Sequence, residues 1–177
     1  MTNFIMMVGL PASGKSTYAY KIKEEVVPDS VIISSDAIRK EITGSEEDMS
    51  QDTKVFEIIN KRIKENLSNN ISVIYDACNI SKKRRIGLLN ELKKYQCKKI
   101  CCVMATPFEE CIMNNDTRDR KVPYEAIKRM YLNWCPPNNS EGWDDIKYKA
   151  IDFGCGNKYR HYIDKILNEE SSEFNFN

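Results

Sequence analysis

Five short apolar runs punctuate the chain, at 3–8 (NFIMMV), 31–34 (VIIS), 71–75 (ISVIY), 98–104 (KKICCVM) and 148–153 (YKAIDF). The first, second and fourth are nearly continuous in apolar residues, the pattern of parallel strands covered on both faces. Between the runs the period changes from two to that of a helix. Over 49–69, Val55, Ile59, Ile63 and Leu67 recur every four residues, with Ile58 widening the stripe. Over 82–95, Ile86, Leu89, Leu92 and Tyr95 recur every three beneath a basic outer face, with Ser81 as the N-cap. Over 123–134 the stripe is Ala126, Ile127, Met130, Tyr131 and Trp134, with Pro123 in the first turn. Strands alternating with helices predict an α/β fold. It should be a single-domain, doubly wound parallel sheet of about five strands with right-handed crossovers, spanning 1–177. Segment 136–142 reads as a loop, 44–53 (GSEEDMSQDT) as acidic, polar and mobile, and 171–177 as a frayed end.

Composition narrows the chemistry. The chain holds 27 basic and 26 acidic residues in 177, a net charge of +1, which argues against a histone-like binder of nucleic acid but leaves room for a local basic groove. His161 is the single histidine, so two-histidine zinc motifs and multi-histidine iron sites cannot be built. Catalysis must therefore run on carboxylates, lysine, arginine, hydroxyls or a divalent ion. Seven cysteines form no C-x-x-C pair, and Cys101 and Cys102 sit within an apolar run. They read as small core residues in a reducing, cytoplasmic setting. No basic n-region precedes the first apolar run and no stretch reaches ~18 apolar residues, so neither a signal peptide nor a membrane span is expected. No obligate protein partner is evident.

The strongest local signal is Gly9-Leu10-Pro11-Ala12-Ser13-Gly14-Lys15-Ser16-Thr17, a complete G-x-x-x-x-G-K-[ST] between a strand and a helical pattern. Such a loop aims successive backbone N–H groups at phosphate oxygens, and the helix N-terminus adds partial positive charge. Gly9, Pro11, Ala12, Ser13, Gly14, Lys15, Ser16 and Thr17 are thus expected to bind a nucleotide. Lys15 would reach the outer phosphates, and the Ser16 hydroxyl would join a Mg²⁺ shell.

Two further carboxylates lie at strand ends, where ligands of open α/β sheets bind. Asp36, after the second run, could take the proton of an attacking hydroxyl, and Arg39 falls on the same helical face three residues later, placed to hold an anionic group. Asp36 could instead merely cap the helix, paired to Arg39. Asp76, directly after the third run, is placed to hold Mg²⁺ through water, and Asn79 is polar at the same rim. The basic run Lys82-Lys83-Arg84-Arg85 reads first as a solvated helix face. Residues 114–123, carrying Arg118 and Arg120 and ending at Pro123, suit a mobile lid whose arginines stabilise a transferring phosphoryl group. A surface salt-bridge turn among Asp116, Arg118, Asp119 and Arg120 fits the same spacing.

In this motif order the chain resembles the P-loop kinase family that includes the kinase module of bacteriophage polynucleotide kinase, over roughly 3–135. The resemblance implies ATP and Mg²⁺, with Asp36 as general base, and Arg39, Asp76, Asn79 and Arg85 around the acceptor. It also implies an arginine lid at Arg118 or Arg120, although these stand five and three residues before Pro123. The implied reaction is phosphorylation of a hydroxyl, for the type member a 5′-hydroxyl of DNA or RNA, with a nucleotide-like small molecule as the other acceptor. Small-molecule or toxin-type kinases, and a nucleotide-binding ATPase without an acceptor, are the alternatives on this core.

Overall fold

The computed structural model describes residues 1–149. In chain order the elements are β1 (Thr2–Val8), α1 (Lys15–Glu25), β2 (Val31–Ser34), α2 (Ser35–Thr43), α3 (Asp52–Ser68), β3 (Val73–Asp76), α4 (Lys82–Leu92), β4 (Cys97–Met104), α5 (Phe108–Asp116), α6 (Tyr124–Leu132) and β5 (Asp145–Lys149). Short 3₁₀ turns at Met49–Gln51 and Asn139–Glu141 complete the path. The five strands form one sheet in the order β2-β3-β1-β4-β5, with every pairing parallel. Among the described residues no helix is long and apolar enough to cross a membrane.

Alternation along β1 builds the core on two faces. Phe4, Met6 and Val8 point to one side, where α3 contributes Val55, Ile59, Ile63 and Leu67 and α4 contributes Leu88, Leu89 and Leu92. Ile5 and Met7 point to the other, against Ala19 and Ile22 of α1. The stripe expected for α3 is the stripe that is buried. The other elements depart from the sequence pattern in instructive ways. β2 lies at the sheet edge, so Val31 is exposed, whereas β3, of the same length, is buried throughout. The fifth strand runs over 145–149, earlier than the 148–153 apolar run. Its start is set by polar pairing: Lys99 N donates to Asp144 Oδ2 at 2.7 Å and Asp144 N to Lys99 O at 2.9 Å. Residues 150–153, the terminal segment 171–177 and His161 lie outside the described residues. In α6 only Ile127 of the expected stripe is buried, and Pro123 precedes the helix as its cap.

On α4, Ser81 caps the helix as expected, with Oγ accepting from Arg84 N. Of the expected series Leu89 and Leu92 are buried, but Arg85 and Leu88 take the inward places rather than Ile86 and Tyr95. An arginine occupies the first core position. Its Nε and Nη2 grip the Glu141 carboxylate at 2.8 and 2.7 Å. Nη1 donates to the carbonyls of Asn79 and Ile80, and Nη2 also to that of Cys135. The two side chains are 1% and 0% exposed, and Trp143 Nε1 adds a further donor to Glu141. All five guanidinium N–H groups are satisfied, which is what allows a charge to sit there.

The described cysteines are free thiols. Burial pushes Cys102 up to about 11 and Cys111 up to about 12, so both are neutral core groups.

Removing one partner of the buried pair strands the other charge. Arg85→Ala should lower the unfolding free energy by ~3–5 kcal/mol, read by urea denaturation. A loss below ~1 kcal/mol would mean that the pair contributes no more than a surface contact.

Candidate active site

The turn between β1 and α1 is built for close approach. Ala12 and Gly14 have φ of 59° and 86°, and left-handed residues interspersed with right-handed ones curl the backbone so that its N–H groups converge. A Cβ on Gly9 would meet Ser13 Oγ at 2.7 Å and Met104 Cβ at 3.0 Å, so only glycine fits there. The loop is braced from outside, by Thr106 Oγ1 on Ser13 O at 2.8 Å and Asn114 Nδ2 on Ala12 O at 3.3 Å. Lys15 is buried, its Nζ on Leu10 O at 2.6 Å across the mouth of the loop. Pro11, Ala12, Gly14, Lys15, Ser16 and Thr17 all line one cleft of about 1050 Å³. Gly9 and Ser13 shape the loop from behind.

Parallel pairing places Asp76, at the end of β3, beside the start of α1. Ser16 Oγ donates to Asp76 Oδ2 at 2.7 Å. Burial, above all, raises the Asp76 carboxyl from its ordinary value, while the Ser16 hydrogen bond and the Lys15 charge act in the opposite direction. A desolvated carboxylate held beside a hydroxyl is a fitting pair of donors for Mg²⁺, which commonly takes one or two protein oxygens together with phosphate oxygens. Among the described residues no group of three acidic, Cys or His side chains forms an all-protein metal cage.

The other half of the cleft is an alternating chain of charges. Asp36, in the first turn of α2, receives Arg39 Nη1 on Oδ1 at 2.8 Å and Arg120 Nη1 on Oδ2 at 2.7 Å. Arg39 is buried at 4% exposure, and its Nε and Nη2 bind Asp52 Oδ1 at 3.2 and 3.0 Å. Its Nη1 also reaches Glu46 O. Arg120 contacts Glu46 Oε2 at 3.4 Å. Segment 44–53, expected to be mobile, is therefore tied down by ion pairs, with Glu46 and Asp52 as counter-charges of two site arginines. Arg118 lines the same cleft, exposed, with no side-chain partner among the described residues, and its charge acts on Asp76.

Asp36, Arg39, Asp76, Lys15, Ser16, Arg118 and Arg120 are thus gathered around one cleft. Two expected acceptor contacts stand differently. Asn79 has a φ of 51° and spends its side-chain N–H groups on Met7 O at 2.8 Å and Ala77 O at 3.3 Å, stitching β3 to β1. Arg85 has no N–H left for a ligand, so its place is structural and the reading as a substrate contact is corrected. The basic run is not a uniformly solvated face either: Arg84 lies over the Phe56 ring, 4.8 Å from its centroid. The expected hinge is clipped, because Asn115 brackets Val122 with Nδ2 on its carbonyl and Oδ1 on its N–H, both at 2.9 Å. The sequence assigns no site role to Asp52, Glu46, Phe56 or Arg84; for the three charged residues the signal is charge within segments that read as loop or solvent face, and Phe56 lies off the apolar stripe of its helix.

The raised Asp76 carboxyl has a testable consequence. Ionising it costs more in the folded chain than in the unfolded one, so its stabilising contribution is present below the unfolded-state pKa and is lost as pH rises through the folded value. At neutral pH Asp76→Asn should raise the Tm of the ligand-free protein by ~2–4 °C, while weakening Mg²⁺-dependent ATP binding at least ~10-fold. A lower Tm in calorimetry would refute the burial argument.

Residues 4–137 match the AAA domain family AAA_33. The chain is 30% identical over 143 residues to L-seryl-tRNA(Sec) kinase of Methanococcus maripaludis, covering 79% of this chain and 55% of that protein. It therefore spans about half the length of that relative. Kti12 of Chaetomium thermophilum, solved with ADP-AlF3, superposes with a TM-score of 0.68 at 20% identity, covering 93% of this chain and 97% of that one. A chain of the Pnkp1/Rnl/Hen1 RNA repair complex superposes with a TM-score of 0.61 at 24% identity, covering 75% of this chain and 43% of that one. These two likenesses concern the fold, and the family match covers most of the sequence: the chain belongs to the AAA_33 family of P-loop kinases.

Proposed function

We propose that this protein is an ATP-dependent phosphotransferase that delivers the γ-phosphoryl group to a hydroxyl borne on an RNA. The observation that carries the reading is the single cleft with a phosphate loop at one end and Asp36, held between two arginines, at the other. The motif order favours a 5′-hydroxyl end as acceptor. The seryl-tRNA kinase relative favours a hydroxyl on a group attached to tRNA. The first of these hydroxyls can be borne on DNA or RNA and the second on RNA alone, so RNA is the carrier common to both, and both need the same machinery.

The loop amides and Lys15 would hold the β- and γ-phosphates; Ser16 and Asp76 would place Mg²⁺, which supplies charge neutralisation along the phosphate chain when bound. Asp36 has four lone-pair directions, of which the arginines use two. The remaining ones can accept the proton of the acceptor hydroxyl as its oxygen bonds to the γ-phosphorus. The bond from that phosphorus to the oxygen bridging it to the β-phosphorus breaks, and ADP leaves with the electron pair. Arg120 is engaged by Asp36 and Glu46, so the unpaired Arg118 is the guanidinium available to the transferring group.

The test is label transfer from γ-labelled ATP with Mg²⁺ to 5′-hydroxyl oligonucleotides, seryl-tRNA, nucleosides and sugars. Label on an RNA acceptor is expected. Transfer should fall at least ~10²-fold in Lys15→Ala and in Arg118→Ala. Label only on a sugar or a free nucleoside would replace the acceptor, and label released only as inorganic phosphate in every arm would overturn the kinase reading.

A further inference from the structure

Two arginines are presented along one face of α3, and they differ in what the protein has already done with their charge. Asp52, Phe56 and Asn60, spaced by four, all line the cleft. Asp52 binds Arg39, which is also bound by Asp36; with two carboxylates on one buried guanidinium, Arg39 is neutralised before any ligand arrives. One turn further, ~5–6 Å along the helix, Phe56 carries Arg84. That arginine reaches across from α4, is exposed, and has no carboxylate or carbonyl partner among the described residues. An aromatic ring holds a guanidinium without neutralising it, and leaves the in-plane N–H groups open for a bidentate anion.

The position of Arg84 follows from the phase of α4. Arg85 turns inward to Glu141 and is saturated, so its neighbour is rotated by about 100° onto the cleft wall. The outer wall around it carries Glu57 and Glu91, the latter paired with Lys64. Among the described residues Arg84 is thus the one open cation beside the acidic and neutral groups lining this part of the cleft. Lys15 and Arg118 serve the nucleotide end.

We propose that Arg84, laid over Phe56, is the acceptor-binding cation of the cleft and takes a phosphate or carboxylate group of the acceptor, the role Arg39 cannot fill while Asp36 and Asp52 hold it. Arg39 is then a positioning residue for Asp36. The proposal rests on the phosphotransferase reading. It restricts the acceptor to one whose reacting hydroxyl is separated from an anionic group by a spacing that reaches Arg84.

The test compares matched acceptors with γ-labelled ATP: adenosine against adenosine 3′-monophosphate, with a 5′-hydroxyl oligoribonucleotide and a seryl-tRNA alongside. Wild type should use the phosphate-bearing member of the nucleoside pair better than the phosphate-free one. Arg84→Ala should raise the KM for phosphate-bearing acceptors at least ~10-fold with little change in the KM for ATP. Arg84→Lys, which keeps the charge but loses the fork, should fall between them. Phe56→Leu, which keeps an apolar side chain but removes the platform, should raise the same KM. An unaltered acceptor KM in Arg84→Ala, or equal use of both nucleoside members by wild type, overturns the assignment. Transfer to no acceptor at all, with ATP binding intact, is a different failure and removes the phosphotransferase reading itself.

Discussion

Parallel pairing of β3 between β1 and β2 is the constraint from which the site follows. Met6 lies opposite Tyr75 and Ser34 opposite Asp76, so all three strands end at one edge and release their loops on the same side. The phosphate loop, Asp36 and Asp76 are far apart in sequence and neighbours only because of this register. A slip of one residue would turn Asp76 to the opposite face and would exchange Ile74 and Tyr75 between the two cores. Both faces of β1 and β3 are buried in close-packed cores fitted to the particular side chains each receives, and this packing opposes that slip. The hydrophobic core therefore does two jobs, holding the fold and fixing which carboxylate faces Ser16.

Charge is handled by the same economy. The near-zero net charge conceals a strongly segregated interior, in which Arg85 is saturated by Glu141 and main-chain carbonyls and Arg39 is bracketed by Asp36 and Asp52. Both pairs carry backbone as well as side-chain hydrogen bonds. Arg85 ties the residues after β3 to the 133–142 segment, and so supports the rim that carries Asn79 and the start of α4. Arg39 ties α2 to the first turn of α3. Among the described arginines that line the cleft, Arg118 and Arg84 have no carboxylate partner, and they are the ones the proposed reaction would draw on.

Much of this is legible in the amino-acid sequence itself. The phosphate loop is a local backbone device, so the sequence that encodes it is contiguous and complete. The α3 stripe was legible because a long helix against a sheet shows its period undiluted. Asp36 and Asp76 were recognisable as residues closing apolar runs. The rest depends on partners distant in sequence. Nothing in Lys82-Lys83-Arg84-Arg85 says that the fourth residue turns inward, because the partner that makes its burial tolerable, Glu141, is 56 residues away. Asp52 and Glu46 sit in a stretch whose polarity reads as loop, and only the fold brings Arg39 and Arg120 to them. β5 was displaced because edge strands are held by pairing more than by apolar continuity.

The central claim is that Asp36 acts on the acceptor and the phosphate loop acts on the nucleotide, within one cleft but as separable parts. The most direct measurement is Asp36→Asn, followed by two readouts on the same preparation: the Kd for Mg²⁺-ATP and the rate of label transfer to the acceptor. The expected result is a Kd within ~2-fold of wild type and a transfer rate lower by at least ~10²-fold. Transfer that survives the substitution at near the wild-type rate would contradict it.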